Sequence, residues 1–237
     1  MIKLALRLGA TLIKFIGDKM TKENKAVLFD IDGTLLDTAE EITDAMNKML
    51  VRRGFETVDA EQMKTFLGGS ARDIVSLSIG REIDEDLLME CVAEYTDYFM
   101  KSNSAKIKPF DGIKEAIAAL SERGYKIGAL SNKPEYEVEL IRESILKPLG
   151  IEFSYGSREG VTPKPDPQGA YIMLEEMGAD IEHSYFVGDG ETDVLTAINS
   201  GMNGIAVLWG NRSREFLSEY GATVFAEAPL DLLDIIK

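Results

Sequence analysis

The sequence predicts an α/β protein in which a parallel sheet carries an all-helical insertion after its first strand. Three observations predict this. Ala26-Val27-Leu28-Phe29 is a short, wholly apolar run, the pattern of a strand buried on both faces. Residues 38–108 show helical periodicity with no strand pattern among them. From residue 109 onward, short apolar runs alternate with helical segments, an order that calls for parallel strands joined by right-handed crossovers.

The first strand runs into Asp30-Ile31-Asp32-Gly33-Thr34. Side chains alternate along a strand, so Asp30 and Asp32 emerge on one side, and Gly33 lets the backbone turn away. Thr38, with Glu41 three residues on, reads as a capping box. Ile42, Ala45, Met46, Met49 and Leu50 follow at helical spacing, and Gly54 ends that helix. Shorter helices are expected at 60–66 and 71–79, separated by Leu67-Gly68-Gly69-Ser70, and a longer one at 85–100. The methionines and aromatics of these helices read as packed core.

Beyond them, helices at 113–123, 135–146, 167–177, 192–200, 212–219 and 230–236 alternate with strands at 126–130, 152–155, 185–187, 204–208 and 222–225. The chain therefore divides into an amphipathic N-terminal helix (1–24), a core built from 25–37 and 109–237, and a helical domain at 38–108.

Composition narrows the function. With 237 residues, 45% hydrophobic and 28% charged, the chain can bury a sizeable core. A net charge of −15 argues against a nucleic-acid partner. The single cysteine, Cys91, excludes an internal disulfide and suits a cytoplasmic, reducing compartment; it falls in an apolar-periodic segment and reads as a packed thiol. His183 is the only histidine, so triads and metal sites built on histidine have little to draw on. It reads as a turn residue before a strand.

Residues 1–25 differ from the body, with six basic and two acidic side chains, a net of +4 that leaves −19 for the rest. Wound as a helix, Lys3, Arg7, Thr11, Lys14 and Asp18 form a narrow polar stripe, and the apolar residues cover the remainder. The segment is too short and interrupted to span a bilayer, and no small-residue cleavage site follows it. Peripheral membrane contact through residues 1–20, packing on the body or on a partner chain, and an overextended start before Met20 all fit this pattern.

In parallel α/β sheets, ligands bind beyond the carboxyl ends of the strands. After the first strand stand Asp30 and Asp32. Ser131, Asn132 and Lys133 follow the second, Lys164 is locked between Pro163 and Pro165, and Gly188-Asp189-Gly190-Glu191-Thr192-Asp193 follows Val187. These parts suit phosphoryl transfer through a carboxylate. An aspartate attacks phosphorus to form an aspartyl-phosphate, and a divalent metal offsets the repulsion between anions. Ligands that are all oxygen favour Mg²⁺. Asp30 and Asp189 are the obvious carboxylate ligands, with the backbone carbonyl of Asp32 nearby. Asp193, one helical turn after Asp189, can orient the site from outside the ligand set. Ser131 and Lys164 offer a hydrogen bond and a charge to phosphate oxygens, and Asp32 can pass a proton to the leaving group. Alternatively, Ser131-Asn132 caps a helix, and Lys164 belongs to a rigid turn.

In these motifs the chain resembles the haloacid dehalogenase-like hydrolases, in the branch containing phosphoglycolate phosphatases and beta-phosphoglucomutases. The resemblance covers residues 25–237 and rests on Asp30 to Thr38, Ser131, Lys164, and Asp189 to Asp193. It implies a Rossmann-like core and a helical cap at 38–108 that closes over it. It also implies Asp30 as nucleophile, Asp32 as acid/base, and Ser131, Asn132 and Lys164 as phosphate binders. Mg²⁺ would sit on Asp30, the Asp32 carbonyl and Asp189, with Asp193 behind. Gly69, Ser70 and Arg72 resemble the cap loop that selects substrate; a helix–helix turn is the other reading.

Thr34 and Ser131-Asn132-Lys133 are similar to phosphatases rather than mutases, whereas Gly190 departs from the serine many phosphoglycolate phosphatases carry. The expected function is a Mg²⁺-dependent phosphatase acting on a small phosphorylated metabolite, phosphoglycolate first, as a monomer or homodimer. A phosphomutase, a nucleotidase or pyrophosphatase, and a membrane-tethered binding protein without turnover are the alternatives.

Overall fold

The structure, a computed structural model, describes residues 24–102 and 104–237. The expected N-terminal amphipathic helix, with its membrane and packing alternatives, falls outside the described residues except for its last position. The first elements among the described residues are β1 (Ala26–Phe29) and β2 (Leu36–Asp37). The insertion follows as α1 (Ala39–Arg53), α2 (Ala60–Phe66), α3 (Ala71–Ile79) and α4 (Glu85–Met100). After β3 (Lys108–Pro109) come α5 (Ile113–Glu122), β4 (Lys126–Pro134), α6 (Glu135–Ile141), β5 (Phe153–Ser157) and α7 (Gln168–Met177). The chain closes with β6 (Tyr185–Gly188), α8 (Glu191–Ser200), β7 (Asn203–Val207), α9 (Arg214–Glu219), β8 (Phe225–Ala226) and α10 (Leu232–Ile235).

The main sheet has six strands in the order β5-β4-β1-β6-β7-β8, with every pair parallel. It is the α/β core the sequence predicts, with the all-helical insertion after β1. From β1 the chain moves outward to β4 and β5 on one side, then returns to β6 on the other. The carboxyl end of β1 therefore sits where the strand order reverses, the crevice in which such sheets bind ligands.

The apolar run of β1 has a direct cause. Val27 and Phe29 pack in one cluster with Ile113, Ile117 and Val138 of α5 and α6. Ala26 and Leu28 pack in another with Met173, Leu174 and Met177 of α7 and Ala197 of α8. Both faces are covered, so no position tolerates a polar side chain. In the insertion, Met46, Met63, Val75, Leu88, Cys91, Tyr95 and Phe99 are buried together, and Leu35 and Leu36 join them to the core cluster. His183 is exposed in the turn before β6. Among the described residues, no helix is long and apolar enough to cross a membrane.

Local expectations are revised at several points, and the last strand falls at Phe225–Ala226 rather than at 222–225. The capping box at Thr38 does not form: its hydroxyl is buried without a partner among the described residues, and Glu41 accepts the backbone N–H of Lys106 at 2.8 Å instead. The helix expected at 135–146 ends at Ile141 and widens into a π turn, Arg142–Leu146. There Arg142 is drawn to Ser154 Oγ and Ser154 O, both at 2.8 Å. Strand β4 runs on to Pro134, placing Ser131, Asn132 and Lys133 in the strand; a Cβ on Gly156 would stand 2.5 Å from the Lys133 carbonyl, so glycine is what admits β5 here. Finally, β2 and β3 pair antiparallel, Leu36 with Pro109 and Asp37 with Lys108, returning both ends of the insertion to one point. Each is too short to show a period in sequence.

Candidate active site

Pairing of β1 with β6 sets the position of Asp30, whose N–H donates to Val187 O at 2.9 Å. Its Oδ1 accepts from Lys164 Nζ at 2.7 Å, and the same ammonium donates to Asp193 Oδ1 at 2.6 Å. Asp193 lies in the first turn of α8 and takes the Gly190 N–H on its other oxygen at 2.9 Å. Asp189 accepts the Thr34 hydroxyl at 3.0 Å and the Asn211 N–H at 2.7 Å. One carboxylate oxygen from each of Asp30, Asp189 and Asp193 falls within 4.8 Å of the others, and all three side chains are buried.

This cluster closes only because the backbone around it lacks side chains. Gly33 has φ +86°, and a Cβ there would stand 2.1 Å from Asn211 Nδ2 and 2.3 Å from Asp189 Oδ2. A Cβ on Gly210 would meet Asp189 Cβ and the Gly33 carbonyl, each at 2.4 Å.

Lys164 contacts two of the three buried carboxylates, Asp30 and Asp193, so the cluster keeps an excess of negative charge. Burial, then Asp193, drives the Asp30 carboxyl up to about 8 despite Lys164. Burial, again with Asp193, drives Asp189 up to about 7, with the Asn211 N–H and Thr34 hydroxyl pulling back. Burial works against the Lys164 ammonium, but Asp193 and Asp30 outweigh it and hold the pKa above the usual lysine range. Carboxylates raised in this way are short of positive charge. Their donors are all oxygen, so the cluster fits a hard divalent cation.

Next to it, Ser131 is buried and its hydroxyl accepts the Lys133 N–H at 3.2 Å. Asn132 Nδ2 donates to Lys164 O at 2.9 Å and to Gly68 O in the insertion at 3.4 Å, so one amide ties β4, the lysine loop and the helical domain together. Asp32 has one oxygen 3.4 Å from Lys133 Nζ, while Oδ1 is buried without a hydrogen-bond partner among the described residues. The structure thus gathers Asp30, Asp32, Ser131, Asn132, Lys164, Asp189 and Asp193 around one strand-end mouth. The insertion reaches that mouth through Gly68. Gly69 follows directly, and Ser70 caps α3 with Asp73. Arg72 points elsewhere, paired with Glu85 at 2.6 Å.

Sequence reasoning passed over two groups. Lys133 received no role, although it is buried beside Asp32. The residues between the strand at 204–208 and the helix at 212–219 carry no sequence expectation, yet Trp209 Nε1 donates to Thr34 O at 3.0 Å and the Asn211 N–H donates to Asp189 at 2.7 Å. Arg212 donates to Lys64 O at 2.9 Å, Thr65 O at 3.2 Å and Leu67 O at 3.0 Å, binding the end of α2 to the core. Trp209-Gly210, directly after an apolar strand, was the available signal. A cleft opens between this loop and the insertion, lined by Gly33, Thr38, Lys64, Leu67, Phe110 and Trp209. Another hollow, between α8, β7 and β8, has no lysine or arginine among the described residues of its lining and so offers a phosphate no counter-charge.

Comparison with known proteins agrees with this geometry. The chain is 30% identical over 219 residues to an N-acetylmuramic acid 6-phosphate phosphatase of Pseudomonas aeruginosa, covering 90% of this chain and 94% of that one. It is 29% identical over 188 residues to a phosphoglycolate phosphatase of Xanthomonas campestris pv. campestris, covering 79% and 85%. Among solved structures, a provisionally assigned phosphoglycolate phosphatase of Lactobacillus delbrueckii subsp. bulgaricus superposes with a TM-score of 0.84 at 28% identity, over 90% of this chain and 98% of that one. The family model described as haloacid dehalogenase-like hydrolase matches residues 27–207, a span that takes in β1, the helical insertion and the strand-end acids, and the chain belongs to that family.

Proposed function

We propose that this protein is a Mg²⁺-dependent phosphatase that hydrolyses a small phosphomonoester through an aspartyl-phosphate on Asp30. The cluster of Asp30, Asp189 and Asp193, two of them paired with Lys164, carries this reading: a buried, over-acidic pocket at the carboxyl end of the central strand. Bound at these oxygens, Mg²⁺ would offset the charge of the substrate phosphate and of the nucleophile. Asp30, Asp189 and the Asp32 carbonyl would hold it, with Asp193 behind them.

The residues divide the chemistry. An oxygen of Asp30 forms a bond to phosphorus as the bond to the substrate oxygen breaks, and Asp32 gives that departing oxygen a proton. Asp32 then takes a proton from water, the water oxygen bonds to phosphorus, and the Asp30–phosphorus bond breaks to release phosphate. Lys164 and Ser131 hold phosphate oxygens, and Asn132 fixes the loop that carries Lys164. The helical cap at 38–108 excludes water from the mouth. Gly69 and Ser70 stand beside its point of contact, whereas Arg72 would have to leave Glu85 to take part in substrate choice.

Phosphoglycolate is the first substrate in this reading. Sugar 6-phosphates are the second, favoured by the similarity to the N-acetylmuramic acid 6-phosphate phosphatase over nearly the whole of both chains. A panel of phosphorylated metabolites, with Mg²⁺ or with chelator, decides between them. Release of free phosphate without an activating bisphosphate separates hydrolase from mutase. Asp30→Asn, which removes the nucleophile, should abolish turnover with the fold intact; retained turnover would refute the role given to Asp30.

A further inference from the structure

Lys133 is buried at the junction of the core and the helical domain, and three groups hold it there. Its ammonium lies 3.4 Å from Asp32 Oδ2 and 3.2 Å from Glu137 Oε2, one turn along in α6. The ring of Phe99, from α4 of the insertion, covers it at 4.7 Å from the centroid. The same helix leans on the start of α6 through Thr96 Oγ1 and Tyr136 OH, 3.3 Å apart. Glu137 is 1% exposed and accepts from the lysine on Oε2, while its Oε1, like Asp32 Oδ1, is buried without a hydrogen-bond partner among the described residues.

Asp32 is gripped on one side only. Lys133 holds Oδ2, while Oδ1 has no hydrogen-bond partner among the described residues. An ammonium 3.4 Å from one oxygen favours one orientation of the carboxylate and leaves the other oxygen for a reacting group. We propose that Lys133, anchored by Glu137 and Phe99, is a positioning residue that sets the orientation of Asp32 for proton transfer. Resting on the acid/base reading of Asp32, this adds a residue pair and a contact with the insertion to it. Lys133 is distinct from Lys164, which holds Asp30 and Asp193.

The test uses the full chain with Mg²⁺ and two probes, p-nitrophenyl phosphate and ethyl phosphate. Nitrophenolate leaves without a proton, whereas ethoxide needs one. Because kcat/KM reports the steps through the first phosphoryl transfer, it isolates proton donation to the leaving group. Lys133→Met should lower kcat/KM for ethyl phosphate by about 30-fold or more, and for p-nitrophenyl phosphate by about threefold or less. In an Asp32→Asn background the same substitution should have no further effect on either probe.

Lys133→Met/Glu137→Gln removes both charges and guards against misfolding caused by an unpaired Glu137. Its circular dichroism should match the parent and its substrate discrimination should match Lys133→Met. Equal losses on both probes, no loss at all, or a loss undiminished in the Asp32→Asn background would overturn the proposal. If Asp32→Asn, with Lys133 intact, slows both probes alike, then the acid/base reading of Asp32 itself fails.

Discussion

Lys164→Met tests the electrostatics of the site most directly. The lysine is 6% exposed and its ammonium contacts Asp30 at 2.7 Å and Asp193 at 2.6 Å. Methionine keeps most of the stem and removes the charge, leaving carboxylates within 4.8 Å of one another and no cation. Removing one partner of a buried ion pair costs about 3–5 kcal/mol. For a chain of this size each kcal/mol moves Tm by about 2–4 °C, so the metal-free variant should melt about 6–20 °C below the parent above pH 8, where Asp30 is ionised. Lowering the pH should shrink that gap, because a proton on Asp30 relieves the same repulsion. Mg²⁺ should raise Tm more in the variant than in the parent, since more unpaired negative charge faces the ion. Differential scanning calorimetry in chelator and then in Mg²⁺ reads all three effects. A metal-free Tm within about 3 °C of the parent would show that Lys164 does not neutralise this cluster.

The remaining predictions use other features of the site. In the metal-free protein, Asp30 keeps its proton to about 8 and Asp189 to about 7, against an ordinary 3.8. The folded state therefore holds protons that the unfolded chain has released, and stability should fall as pH rises from 4 through 8. Melting in chelator across that range measures the slope, which Mg²⁺ should flatten; a rise in Tm toward pH 8 would contradict the assignment. Gly33→Ala places a methyl 2.1 Å from Asn211 Nδ2 at φ +86° and should cost about 2–5 kcal/mol in urea unfolding, the left-handed and overpacking penalties together. Arg212→Ala removes the contacts to the carbonyls of Lys64, Thr65 and Leu67, so amide hydrogen exchange in α2 should quicken about tenfold or more while β1 and β6 keep their protection. Equal quickening in the sheet would show that Arg212 supports the whole fold rather than the insertion.

Much of this protein is legible in its sequence because the governing forces act over a few residues. The buried run 26–29, the helical spacing of Ile42, Met46 and Met49, and the acids at the ends of β1 and β6 each follow from local periodicity and local chemistry. The boundaries that moved did so under contacts from far along the chain. β4 extends because Gly156 lets β5 come close, and the helix after it widens where Arg142 turns to Ser154.

By itself, then, the sequence determined the α/β order, the helical insertion and the set of acids and lysines available for chemistry. Only the tertiary structure decided how those charges are shared. Lys164 goes to Asp30 and Asp193, Lys133 goes to Asp32 and Glu137, Arg212 clasps the insertion, and Arg72 turns to Glu85. A residue's type and its place on a strand follow from its neighbours in the chain. Its partner depends on distances of a few ångströms between segments that lie, for Arg212 and Lys64, 148 residues apart, and those distances exist only once the sheet has closed.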